Sequence, residues 1–215
     1  MAIAIDTSFV PASLDARSFA NVEKYINALL TRAVNSRAEL ERWVIDRGEL
    51  EAACSEAKAD LYISMTCDTE DAATQQAYAT YVGEVQPKLT PAFFELDKRY
   101  VELSAKFPLD PARYGVADRS TRTDVELYRE ENVPIETELS RLSQKYDQIV
   151  GAITVHFDGK DQPLPMMARY QEQTDRSVRE AAWRAVSERR FRDVEAIDSI
   201  YDEMVRLRHT VALNA

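Results

Sequence analysis

The chain has 215 residues, 45% of them apolar, with only five glycines, enough to bury a substantial core and too few turn formers for an all-β design. Its 27 basic and 37 acidic residues give a formal charge of −10, and such a surface repels phosphate backbones and anionic lipid, so neither nucleic acid nor a membrane is expected as a partner. There is no 18-residue apolar run, and the opening MAIAIDTSFVPAS has neither the basic start nor the apolar centre of a leader; a cytoplasmic location is expected.

Taken in order, residues 1–17 read as an arm. Phe19, Val22, Ile26, Leu29 and Leu30 then recur at helical spacing. Ser36 is an expected N-cap for a helix carrying Leu40, Trp43 and Val44, which Gly48 is expected to interrupt before Leu50, Cys54, Ala57 and Leu61 resume the stripe. Asp68 or Thr69 is expected to cap the next helix, which carries Ala77, Tyr81 and Val85 and meets Pro87. A fresh helix is expected from Thr90 as cap, with Pro91 in its first turn.

KFPLDPARYG reads as a loop, and STRTDVELYREENVP as a short polar helix ending near Asn132 ahead of Pro134. Ile135, Leu139, Leu142, Tyr146 and Ile149 step by 4, 3, 4 and 3, a packing stripe, with Gly151 as the expected C-cap. GAITVHFDGKDQP breaks the pattern: Ile153, Val155 and Phe157 alternate with polar residues, and Asp158-Gly159 predicts a two-residue hairpin turn. LPMMARYQEQ reads as a short helix. From Asp175 one long helix is expected through Val178, Ala182, Val186, Val194, Ile197, Tyr201, Met204, Leu207 and Val211. It shows no stop signal, which suggests a fragment or a helix that needs a partner. The fold class expected is all-α, a helical bundle or array, with one small β-hairpin near 152–163.

The chemistry-bearing residues are few. The two histidines, His156 and His209, have no HExxH or ExxH around them, and Cys54 and Cys67 form no CxxC or Cys/His cluster. Both histidines read as surface residues and both cysteines as reduced, mostly buried thiols. GxSxG and glycine-rich phosphate loops are absent. The arginines of RSVREAAWRAVSERRFRD are interleaved with Glu180, Glu188 and Asp193, a solvated face with i,i+4 pairs rather than a nucleic-acid patch. Trp43, Tyr81 and Trp183 read as core. No catalytic, metal-ligating or cofactor-binding residue is assigned, and substrate-binding residues stay undefined.

Three stretches, LYISMTCDTEDAATQQAYATYVGEVQPKL, DVELYREENVPIETELSRLSQKYDQIVGAITVHFDGK and TDRSVREAAWRAVSERR, occur in an order that resembles the N-terminal region of oligoendopeptidase F-type (thimet oligopeptidase-like) zinc metallopeptidases, from about Asn21 to Asn214. The resemblance implies mainly helical enzymes that cut short peptides in a deep channel, with zinc held by an HExxH helix and a downstream Glu outside the region resembled. It divides the chain into the arm (1–17), an N-terminal helical bundle (18–115), an N-terminal module with the hairpin (116–174) and the start of the catalytic-domain helices (175–215). It implies short peptide substrates and a missing catalytic half as partners, with no cofactor held by these residues and no activity of the chain alone. A non-catalytic helical module that binds a protein or peptide stands as the alternative.

Overall fold

The computed structural model describes residues 8–215, so the beginning of the expected arm, residues 1–7, lies outside the described residues. From Ser8 to Ser18 the chain runs in turns and bends, and Val10 and Ala16 are buried in the main core. Helix α1 (Phe19–Thr31) buries Val22, Ile26 and Leu29, the face that the helical spacing marks.

Ser36 caps α2 (Arg37–Cys67): its hydroxyl accepts from the Glu39 N–H, and the Glu39 carboxylate turns back to accept from the Asn35 N–H. Contrary to expectation, Gly48 does not interrupt this helix. A single glycine costs only about 1 kcal/mol in a helix interior, and Leu40, Trp43, Leu50, Cys54, Leu61 and Met65 on both sides of it are buried on one stripe. The Trp43 indole N–H donates to the Leu29 carbonyl, fastening α2 to the end of α1.

Asp71, rather than Asp68 or Thr69, caps α3 (Ala72–Thr80), accepting from the N–H groups of Ala73 and Thr74; Asp68 instead ends α2. The predicted break at Pro87 and restart at Thr90 are absent as well. The helix runs from α3 through a π turn at Tyr81–Val85 into α4 (Gln86–Lys106), with Pro87 in the first turn of α4 and Pro91 inside it. The Gln86 N–H reaches back five residues to the Tyr81 carbonyl. This wider spacing relaxes the contact between a proline ring and the preceding turn that closes an ordinary helix to proline.

Helix α5 (Pro111–Leu127) starts inside the stretch read as a loop, because Asp110 caps it at the Ala112 N–H with Pro111 in the first turn. It ends at Leu127, and Asn132 opens α6 (Asn132–Gly151) rather than ending the polar helix, with Pro134 in the first turn of α6. The stripe expected on α6 is only partly realised. Leu142 is buried, but Tyr146 is exposed, and the polar Thr137 and Gln144 are more buried than Ile135 or Leu139. Gln144 and Gln148 both donate to the Gln75 side-chain oxygen, while Gln75 reaches the carbonyls of Met65 and Thr69. A glutamine cluster thus joins α2, α3 and α6 where apolar packing was expected. Gly151 is the last residue of α6 rather than its cap; a Cβ there would sit 2.6 Å from Thr69 Cγ2, so the glycine permits close approach rather than a left-handed turn.

The hairpin is as the sequence indicates. β1 (Thr154–Phe157) and β2 (Lys160–Pro163) pair antiparallel, with Val155 opposite Gln162 and Phe157 opposite Lys160. Asp158 and Gly159 have φ of 55° and 75°, the two positive values a type I′ turn demands. Ile153 and Val155 are buried. The hairpin lies on α7 (Leu164–Gln171) and α8 (Arg176–Phe191), where Val155, Met167, Tyr170 and Ala182 form a second, small core. The Tyr170 hydroxyl donates to Asp158 and accepts from Gln162, pinning the turn.

Asp175 caps α8 at Ser177, but the expected single long helix is broken at Arg192-Asp193, and α9 (Val194–Asn214) starts anew. The cause is tertiary: α8 packs on α7 and β1, whereas α9 packs on α6. The Asn132 side chain donates to the Val211 carbonyl and accepts from the Asn214 amide, tying the end of α9 to the start of α6.

Replacing Asp158 and Gly159 together by valine forces two β-branched residues into positive φ, at about 1–2 kcal/mol per residue. The expected result is a fall in thermal stability with loss of the near-ultraviolet signal of Tyr170, read by thermal unfolding and circular dichroism; an unchanged midpoint would contradict the turn.

Candidate functional site

The π turn shapes the most chemically featured hollow among the described residues. Glu51, Cys54, Ser55 and Lys58 share one face of α2. Facing them are Tyr81 of the turn, the Gln86–Asp97 segment of α4, Asp124 of α5 and Tyr128 just beyond it, enclosing an open cleft of about 350 Å³. The Tyr81 hydroxyl donates to the Cys54 carbonyl at 3.2 Å, holding the wide turn against α2. Burial pushes the Tyr81 phenol up to about 12 and the Cys54 thiol up to about 11, the latter with help from Glu51.

Asp97 sits 2.5 Å from the Arg47 guanidinium of α2. Burial nevertheless pushes its carboxyl up to about 6; the pull of Arg47 is outweighed, and Glu51 and Asp124 add to the rise. Burial also lowers Lys58 and raises Tyr128. The rings of Phe94 and Tyr128 stack with centroids 3.8 Å apart. Two polar atoms buried on this cleft, the Gln86 side-chain oxygen and the Tyr128 hydroxyl, have no hydrogen-bond partner among the described residues.

This arrangement is suited to binding rather than to bond making. A thiol held near 11 is not a thiolate at neutral pH, and no histidine lines the cleft. His156 is exposed on β1 with its Nδ1 2.8 Å from Asp161, and His209 is exposed on α9. Among the described residues no three of His, Cys, Asp or Glu lie close enough to hold a metal ion; the zinc of the resemblance belongs to residues outside the region resembled. Of the cysteines, Cys54 is buried as expected, but Cys67 is exposed at the end of α2. Trp43 and Tyr81 are core residues; Trp183 is not, being 59% exposed, because α8 turns only a narrow face, centred on Ala182, toward α7 and β1. The arginines of α8 form the anticipated i,i+4 pairs, Arg184 with Glu180 and Arg189 with Asp193. The cleft itself was missed in the sequence. Its one visible sign was two prolines four residues apart, Pro87 and Pro91, inside an otherwise continuous helical pattern.

Among the described residues no helix is long and apolar enough to cross a membrane.

Comparison with known proteins bears on the fold. Residues 9–110 match the family described as Peptidase M3 N-terminal domain. No curated protein matches the sequence. A protein assigned as oligoendopeptidase F from Bacillus anthracis str. Ames has the same fold, with a TM-score of 0.77 at 20% identity over 91% of this chain and 36% of that one. A second structure assigned as oligoendopeptidase F, determined at 3.1 Å, gives 0.76 at 18% identity over 96% of this chain and 37% of that one. The chain is thus similar to the N-terminal region of oligoendopeptidase F-type peptidases, as its three sequence stretches indicate, and spans little more than a third of the length of these two structures.

Asp97 binds its proton more tightly folded, near 6, than at its ordinary value of 3.8, so its contribution to stability is fully present below about 3.8 and is lost as pH rises through about 6. Asp97→Asn is expected to remove this slope: urea unfolding from pH 4 to 7 should show the variant gaining on the parent chain across that window, and parallel curves would contradict the assignment. Alkylation with iodoacetamide at pH 8 is expected to modify Cys67 alone in the native chain and both cysteines in urea, by mass spectrometry.

Proposed function

We propose that the chain is the N-terminal, substrate-channel-forming helical part of a zinc-dependent oligoendopeptidase that hydrolyses short peptides in the cytoplasm. In this reading its helices make one wall of the channel and a size filter, and a catalytic half supplies the zinc and the reacting groups. The observation that carries the proposal is the agreement of fold over 91% of the chain with a protein assigned as oligoendopeptidase F, together with the family match over residues 9–110. Short peptides and the catalytic half are the partners in this reading; nucleic acid and membrane are not, in keeping with a charge of −10.

A second reading, a non-catalytic module that binds a protein or peptide, draws on the exposed large side chains of the last two helices, Trp183, Phe191, Tyr201, Val205 and Leu213.

The two readings separate in a chimera in which this chain replaces the structurally equivalent region of the Bacillus anthracis protein. The peptidase reading expects a folded chimera that hydrolyses short quenched-fluorescent peptides and spares folded proteins. A folded chimera that does not cleave them while the parent does would count against it.

A further inference from the structure

We propose that the outward side of α9 pairs with the same side of a second copy of this chain, the two helices running antiparallel about a two-fold axis. The proposal concerns α9 alone and is independent of the peptidase reading.

Heptad spacing sets the seam. α9 packs on α6, and Ile197, Ile200, Met204, Leu207 and Val211 are partly buried. Val194, Asp198, Tyr201, Val205, Arg208 and Ala212 step by 4, 3, 4, 3 and 4 along a different side of the helix, the alternation that brings two helices together along one line. All of them but Val194 are exposed, Tyr201 by 61% and Val205 by 48%.

The charges on α9 select the partner. Residues 194–203 hold Glu195, Asp198, Asp202 and Glu203 and no basic residue; residues 204–214 hold Arg206, Arg208 and His209 and no acidic one. An antiparallel copy lays each acidic half on a basic one, whereas a parallel copy sets Asp198 against Asp198 and Arg208 against Arg208. The helix dipole favours acids and bases only in the first and last turns, and Asp198 and Arg208 lie beyond both. Neither forms an ion pair among the described residues, so both charges are free to meet a second copy.

One register matches every layer. Placing Tyr201 against Val205 of the second copy also places Val194 against Ala212 and Asp198 against Arg208, and two-fold symmetry repeats each pair in reverse. Apolar then meets apolar and acid meets base throughout. A slip of one heptad sets Arg208 against Val205 in one direction and Asp198 against Tyr201 in the other, so the charges fix the register as well as the direction. A seam one helix wide falls short of the roughly 1,200–2,000 Å² of a stable interface. The dimer expected is therefore reversible, with a dissociation constant on the order of 10–100 µM.

The test is sedimentation equilibrium of the 215-residue chain, with Asp198→Arg, Arg208→Asp and the double variant run beside it. The parent chain is expected to show a monomer–dimer equilibrium that weakens with salt. Each single reversal sets like charges together at both ends of the seam and is expected to weaken dimerisation at least about tenfold. The double variant restores both pairs with their signs exchanged and is expected to return to within about threefold of the parent. Both side chains are exposed and unpaired within the chain, so the thermal unfolding midpoints are expected to stay in place. A chain that remains monomeric at about 500 µM, as it would if a different protein occupied this side of α9, would overturn the proposal. So would assemblies larger than a dimer, dimerisation untouched by the single reversals, or no recovery in the double variant.

Discussion

Burial of Tyr81 against the middle of α2 is the interaction on which the rest of the N-terminal architecture depends. Tyr81 and Val82 are almost wholly inaccessible, and the Tyr81 hydroxyl reaches the Cys54 carbonyl. To put both side chains into the core, the helix widens by one residue over Tyr81–Val85. The widening lets the chain pass Pro87 and continue as α4, which brings Leu89, Leu96, Tyr100 and Leu103 onto the same core. A regular α-helix through this region would rotate α4 relative to α3 and separate its apolar face from α1 and α2. The cleft lies beside the same turn, with Tyr81 among its lining residues.

Two cores result, joined by polar contacts. The larger one runs from Val10 to Leu103 and the smaller one holds the hairpin on α7 and α8. Between them α6 bears on α3 through glutamines rather than leucines. Such contacts contribute modestly, about 1 kcal/mol per hydrogen bond, and they set register through the direction of donors and acceptors. The last two helices bury almost nothing apolar: α9 has no fully buried residue and α8 only Ala182.

The legible parts of this fold were those decided by neighbours in sequence. Ser36 and Asp175 cap helices because their side-chain oxygens need reach only two or three residues. Asp158-Gly159 makes its turn because two positive φ values are local demands. The resemblance drawn from three stretches was legible for a different reason, as a pattern of order rather than of physics. The illegible parts were tertiary decisions. Gly48 and Pro87 read as breaks and Thr90-Pro91 as a fresh start, yet buried residues on both sides carry the helix through all of them. Arg192-Asp193 read as helix interior, yet α8 and α9 pack on different partners and separate there. The alternation of Ile135, Leu139, Leu142 and Tyr146 could not reveal that Gln144 would take the more buried place. Nor could the cleft be read in advance, because Asp97, Gln86 and Tyr128 meet Glu51 only through the π turn.

Among the described residues no three His, Cys, Asp or Glu side chains come close enough together to hold a metal ion. In the proposed peptidase reading, the metal ion or base that activates water at neutral pH is supplied by residues outside this chain. The most direct measurement is the hydrolysis of a short internally quenched peptide by the purified chain supplied with zinc. The account expects no turnover above the blank. Cleavage that co-purifies with the chain through successive columns and is abolished by a chelator would contradict it.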